Sequence, residues 1–171
     1  MFTRGQIAAR VSELAAEISR DLAGEPVILI GVLKGAAIFM SDLARQLSVL
    51  SVMATFDFIG TASYGNSQSS TGEVRLTKDL DQSVAGKNVL LIEDILDTGS
   101  TLTYLKKLLA AHEPRSLRVA ALLDKPSRRR VQISADYVGF KIPDEFVVGY
   151  GMDFAEKYRN LPDICVLEGV C

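Results

Sequence analysis

Asn88-Val89-Leu90-Leu91-Ile92-Glu93-Asp94-Ile95-Leu96-Asp97-Thr98-Gly99-Ser100-Thr101-Leu102 is the stretch around which the chain is organised. Val89 to Ile92 is a short apolar run, the pattern of a strand buried on both faces in the middle of a parallel sheet. Two carboxylates, Glu93 and Asp94, stand at its carboxyl end. Neighbouring strand residues point to opposite faces, so the two cannot both be buried without partners. The small, hydroxylated run Asp97-Thr98-Gly99-Ser100-Thr101 follows, and Leu102, Leu105, Leu108 and Leu109 then recur at helical spacing. A strand, a tight glycine turn and a helix start make an anion site, because the first N–H groups of a helix lack internal partners and its dipole favours negative charge there. The hydroxyls of Thr98, Ser100 and Thr101 add donors. The turn therefore reads as a phosphate cradle with a carboxylate pair beside it.

Neither G-x-x-x-x-G-K-[ST] nor G-x-G-x-x-G occurs in the chain, which removes the nucleoside-triphosphate loop and the dinucleotide fingerprint. Two acids would repel a bare phosphate but suit ribose hydroxyls, or a magnesium ion shared with a diphosphate. An apolar strand, two acids, two apolar residues, Asp-Thr-Gly and a hydroxyl-rich turn, in that order, resemble the phosphoribosyl-diphosphate motif of the type I phosphoribosyltransferases.

The 171 residues suit one domain with a proper core. A formal net charge of −2 argues against a general polyanion binder. Cys165, Cys171 and the single His112 form no zinc spacing, and a reduced, cytoplasmic protein is expected. No apolar run reaches membrane-spanning length and the start of the chain lacks a secretory apolar region.

In chain order, Thr3 to Gln6 fits a capping box, and Ile7, Val11, Leu14, Ile18 and Leu22 mark a packing helix closed by Gly24 and Pro26. Val27 to Leu33 is a second buried strand, ending in Lys34-Gly35 before a helix from Ala36 to Leu47, and so a second possible anion site. Gly31-Val32-Leu33-Lys34-Gly35 resembles the diphosphate loop of the purine-specific members of the family, in which the peptide before the lysine is often cis. Ala54 to Phe58 alternates as a half-exposed strand. The long polar loop from Gly60 to Gly72 is either disordered or a lid on its own composition, with Glu73 to Lys78 returning as a strand. Its Ser63-Tyr64 resembles the Ser-Tyr of the family's mobile loop.

Leu117 to Leu123 is a further strand, ending in Asp124-Lys125-Pro126, and Arg128 to Arg130 read as a solvated surface turn. Lys125 stands where ligands of open α/β sheets collect, and it resembles the family lysine that contacts the purine's exocyclic oxygen. Asp136 to Asp153 contains two short strands joined by a Pro-Asp turn, and Ile164 to Leu167 a last one. Phe146 alone would suit the core. In its context it resembles the base-stacking phenylalanine of the branch of the family that acts on hypoxanthine and guanine. Val147 then corresponds to the residue whose backbone reads the base edge, Asp153 to an aspartate near base and metal, and Arg159 to a diphosphate-binding arginine. Ser100 departs from relatives that carry lysine there, and the chain lacks the N-terminal extension of some relatives, which bears on assembly.

The expected fold is α/β, a mostly parallel central sheet flanked by helices, with a small hood from about residue 125 to 171 over the base site. The resemblance implies transfer of 5-phosphoribosyl to N9 of a 6-oxopurine. It makes Asp97 the proton acceptor and assigns phosphoribosyl diphosphate to Lys34, Gly35, Ser63, Tyr64, Glu93, Asp94, Asp97 through Thr101, and Arg159. The base falls to Lys125, Phe146, Val147 and Asp153, and Mg2+ to Glu93, Asp94 and Asp153. A homo-oligomer, dimer or tetramer, is expected, without nucleic acid or membrane. The rivals are a nucleic-acid-binding regulator of the same fold and an enzyme preferring xanthine or a pyrimidine.

Overall fold

The computed structural model describes residues 1–63 and 74–169. Helix α1 spans Arg4–Leu22, and Thr3 caps it through the reciprocal bonds with Gln6 that the sequence pattern predicts. Its left-handed closing residue is Ala23 (φ 50°), one position before the expected glycine. Strand β1 (Val27–Leu33), helix α2 (Ala37–Val49) and strand β2 (Ala54–Ser63) follow, then β3 (Val74–Lys78) and β4 (Asn88–Leu96). Helix α3 (Ser100–Ala110), β5 (Ser116–Asp124), a single 3-10 turn (Pro126–Arg128), β6 (Tyr137–Lys141), β7 (Val147–Val148) and β8 (Cys165–Val166) complete the described elements.

Six strands form one sheet in the order β3-β2-β1-β4-β5-β6, parallel except for β3, which returns antiparallel to β2. Because side chains alternate along a strand, the sheet feeds two cores. Leu29, Leu90 and Ile92 pack with α1 and α2, whereas Ile30, Val89 and Leu91 pack with Leu102, Leu105 and Leu109 of α3. Each fully buried Leu or Ile contributes about 1.5–3 kcal/mol. Two expectations change here. β2 continues to Ser63, past a register shift at Gly60/Thr61, because β3 supplies it with ladder partners. The two short strands flanking the Pro-Asp turn do not pair with each other: β6 joins the main sheet beside β5, and β7 pairs with β8 in a separate two-stranded hood.

Polar ties fix α1 across the β6 edge. Arg10 donates to the carbonyls of Gly139 (3.0 Å) and Val138 (2.8 Å), satisfying an open strand edge. The Tyr137 hydroxyl donates to Asp21 (2.7 Å) and accepts from Arg118 (2.7 Å). Burial, and then the bond to Asp21, push the Tyr137 phenol up to about 12. A folded pKa above the unfolded value of about 10 means its contribution is full below pH ~10 and fades as pH approaches the folded value. Tyr137→Phe should therefore cost about 1 kcal/mol in urea unfolding at pH 7, with Arg118 and Asp21 still paired, and the deficit should shrink above pH ~10. A deficit independent of pH would assign it to packing alone.

Candidate active site

The strand order reverses between β1 and β4, so the crevice beyond their carboxyl ends is the topological switch point of the sheet. The turn after β1 and the end of β4 meet there. A Cβ on Gly35 would sit 1.7 Å from Asp94 Oδ2, so only glycine admits the carboxylate at this distance. A Cβ on Gly151, at φ 103°, would lie 2.0 Å from the Gly35 carbonyl oxygen, which packs the hood loop onto the same turn. The Leu33–Lys34 peptide is cis.

β4 runs further than its apolar core, to Leu96, and carries Glu93 and Asp94 within the strand. Glu93 is buried, and burial followed by the Asp94 charge holds its pKa well above the usual carboxylate range. Burial also raises Asp94, opposed by the Ile95 N–H that bonds its Oδ1 at 2.9 Å. Gly99, at φ 88°, makes the turn into α3, and a Cβ there would strike Ile133 and Val131. Thr98 Oγ1 accepts from the Ser100 N–H (3.4 Å), and Thr103 returns its hydroxyl to the Gly99 carbonyl (2.8 Å). No side-chain oxygen caps α3 among the described residues, which leaves its N-terminal turn for an anion.

A cleft of about 420 Å³ opens beside this turn. Asp94, Ile95, Asp97, Lys125, Arg128 and Asp144 line one part, and Phe146, Val147, Met152 and Asp153 of the hood segment the other. Phe146 is 41% exposed and meets Phe154 edge-on at 5.8 Å, so it is a cleft wall and not the core residue its composition alone would suggest. Lys125 is buried, yet its recorded ion pair, to Asp144 Oδ1, spans 4.0 Å and is too long for a hydrogen bond. Its neighbour Asp124 is taken by Arg129.

That pairing corrects the arginine run in part: Arg128 and Arg130 are exposed, as a surface turn requires, but Arg129 is not. Arg129 is mostly buried, bonds Asp124 and the Asp97 carbonyl closely, and donates to the Leu96 carbonyl at 3.0 Å, clamping the end of β4. Arg128 Nε lies 3.2 Å from Asp97 Oδ1, and its guanidinium also faces Asp144 at 3.6 Å. Sequence reading missed Asp144, Met152 and both arginines, because their signal is three-dimensional: a charge run with acids that only the fold brings to it.

Lys34, Gly35, Glu93, Arg159 and Thr98 to Thr101 lie off the cleft lining, but Gly35 abuts Asp94 and Arg159 Nη2 lies 2.7 Å from Asp153 Oδ1. Arg159 also donates to the Gly151 carbonyl (2.8 Å), while its Nε is buried without a partner. Tyr64 lies outside the described residues, and Ser63 is described only in its backbone, opposite Val74. Among the described residues no three Asp, Glu, His or Cys side chains gather closely enough to hold a metal by themselves, so Glu93, Asp94 and Asp153 are not a preformed cage. Magnesium fits a looser arrangement, one or two carboxylates completed by diphosphate oxygens and water.

An open, mostly parallel sheet with acids and a glycine-turned anion cradle at its switch point, under a small hood, defines an α/β protein of the type I phosphoribosyltransferase fold. The family model described as "Phosphoribosyl transferase domain" matches residues 2–155, and the chain belongs to that family. It is 48% identical to the hypoxanthine-guanine phosphoribosyltransferase of Bacillus subtilis, over 98% of this chain and 92% of that one. It is 45% identical to the hypoxanthine phosphoribosyltransferase of Escherichia coli, over 96% and 92%. A crystal structure of a hypoxanthine-guanine phosphoribosyltransferase from Bacillus anthracis superposes with a TM-score of 0.91 at 49% identity, covering 98% of this chain and 96% of the other.

Proposed function

We propose that this chain is a purine-salvage transferase that moves 5-phosphoribosyl from phosphoribosyl diphosphate to N9 of hypoxanthine, and of guanine, releasing diphosphate and the nucleoside monophosphate. The observation that carries it is the cleft, where a buried ammonium, Lys125, and a half-exposed ring, Phe146, face Asp97. The names of the relatives, at 45–48% identity over nearly the whole chain, support the same substrates.

In this reading the base lies on Phe146, with Lys125 donating to the oxygen at position 6 and backbone groups at Val147 reading the far edge. Asp153 supports the base and, with Glu93 and Asp94, would help to hold magnesium. The 5-phosphate takes the first N–H groups of α3 and the hydroxyls of Thr98, Ser100 and Thr101, around Gly99. Glu93 and Asp94 take the ribose hydroxyls. The bond from the anomeric carbon to diphosphate breaks as N9 bonds that carbon, and the proton on N7 passes to Asp97. Lys34, from the turn after β1, and Arg159, from the hood, stabilise the leaving anion. Magnesium, when bound, would supply further positive charge to the diphosphate. Arg128 must release Asp97, and both groups are partly exposed, so the pair yields readily. Of the expected loop at residues 60–72, the first four positions belong to β2, which ends at Ser63, and the remainder, with Tyr64, lies outside the described residues.

The whole chain is read as one domain. The engagement of Arg128 and Arg129 with Asp97, Asp144 and Asp124 speaks against the regulator reading. No described helix is long and apolar enough to cross a membrane. The reading includes a cytoplasmic setting. Exposed Val49, Leu50, Met53 and Phe56 favour a homo-oligomer. The deciding experiment offers phosphoribosyl diphosphate with hypoxanthine, guanine, xanthine, adenine and a pyrimidine, with and without a magnesium chelator. Inosine and guanosine monophosphates should form, stop on chelation and resume with added magnesium. Turnover of a pyrimidine alone, or saturable binding with no product, would replace this reading by one of its rivals.

A further inference from the structure

The two cations assigned to the leaving diphosphate already share a ligand. Glu156 Oε2 lies 2.8 Å from Lys34 Nζ, and Oε1 lies 3.4 Å from Arg159 Nη2. One carboxylate thus spans, with its two oxygens, a lysine from the turn after β1 and an arginine from the hood. Carboxylates and phosphates engage lysine and arginine through the same charge-assisted bonds, so the two anions exclude each other at these donors.

The chain goes to some trouble to present this group. Phe154 and Lys157 exchange backbone bonds of 3.2 and 3.0 Å, leaving Ala155 and Glu156 at the tip of a tight turn. Both tip residues are left-handed (φ 51° and 64°), a conformation uncommon for side-chain-bearing residues. The Glu156 N–H is held by Asp153 Oδ2 (2.8 Å), whose other oxygen holds Arg159. The Lys34 bond, then its charge, lower the Glu156 pKa, so the carboxylate stays ionised at neutral pH. Lys34 and Glu156 are 66% and 65% exposed, which makes the bridge easy to break.

We propose that Glu156 is a resident competitor for diphosphate: it occupies Lys34 and Arg159 in the ligand-free protein, gives them up when the diphosphate group enters, and reclaims them as it leaves. This rests on the assignment of Lys34 and Arg159 to the diphosphate. The apparent affinity is then reduced by the fraction of molecules whose cations are occupied. An exposed pair of this kind corresponds to a change of about two- to fivefold.

The test is calorimetric titration of magnesium diphosphate into four proteins at one ionic strength: the parent, Glu156→Gln, Lys34→Ala and the double variant. Glu156→Gln keeps the size and removes the charge. It should tighten diphosphate binding about two- to fivefold and lower the KM for phosphoribosyl diphosphate to a similar extent. The gain should largely vanish in the Lys34→Ala background, since the competitor then has little left to block. Equal gains in both backgrounds would reduce the effect to general charge removal and overturn the competition, as would no gain in either. Unweakened binding in Lys34→Ala alone would instead overturn the assignment of Lys34. The exposed turn position means Glu156→Gln should fold, and an unchanged thermal midpoint checks this.

Discussion

Asp97→Asn is expected to lower kcat by about 10²–10⁴-fold, the usual contribution of a positioned general base, while leaving phosphoribosyl diphosphate binding within a few-fold of the parent. The substitution keeps the shape of the side chain. Its amide oxygen can still accept from Arg128 Nε, now 3.2 Å from Asp97 Oδ1, and the clamp of Arg129 on the Leu96 and Asp97 carbonyls involves only the backbone. What disappears is a group able to take the proton from N7. The loss should therefore fall on kcat and kcat/KM together and not on KM for the diphosphate sugar, the pattern of an interaction made in the transition state. Single-turnover kinetics would separate chemistry from release. Asp97→Asn at full speed would remove Asp97 from the mechanism. An equal loss in Arg128→Ala would show that holding the carboxylate in place matters as much as its basicity.

The part of this site that could be read beforehand is the part built from contiguous residues. Asn88 to Leu102 encodes strand, acids, turn and helix in order, and β4, Gly99 and α3 fall where that pattern puts them. Gly35 is also legible as a strand-end glycine, but its reason is not: the Asp94 carboxylate comes from a strand more than fifty residues away. The arginine run is half legible for the same cause: Arg128 and Arg130 are exposed as a surface turn would have them, and Arg129 is not. A cluster of positive charge in sequence is usually solvated, and only the fold carries Asp97, Asp124 and Asp144 to Arg128 and Arg129. The hood was half visible. Short strands at Val147 and Cys165 can be suspected from apolar pairs, but β6 and β7 look like a hairpin until β5 claims one and β8 the other. The Glu156 bridge had no signal at all, because an acid on a polar turn is unremarkable until Lys34 is seen against it.

Lys125→Ala should cause a large loss in kcat/KM for hypoxanthine and collapse the preference for hypoxanthine over adenine. An ammonium can only donate. Hypoxanthine and guanine offer an oxygen at position 6, whereas adenine offers an amino group, which sets donor against donor and leaves a buried charge unpaired. Sites built around one polar pairing reject the mismatched analogue by as much as about 10⁴–10⁵. The structure supplies the conditions for that: Lys125 is buried at the cleft wall, Asp124 is occupied by Arg129, and Asp144 stands at 4.0 Å, too far to satisfy the ammonium. Alanine keeps the Lys125 N–H bond to the Leu96 carbonyl (3.0 Å), so the turn survives, and Arg128 remains to balance Asp144. Guanine should lose as much as hypoxanthine, since both present the same oxygen to the same donor. Lys125→Gln sharpens the measurement, because its amide can donate to the 6-oxo group or accept from the amino group of adenine. It should recover part of the hypoxanthine rate with little of the discrimination. Steady-state kcat/KM for the three bases at fixed phosphoribosyl diphosphate decides the matter. If Lys125→Ala keeps both its rate and its preference, the lysine only closes β5, and base choice must be sought in the backbone around Val147.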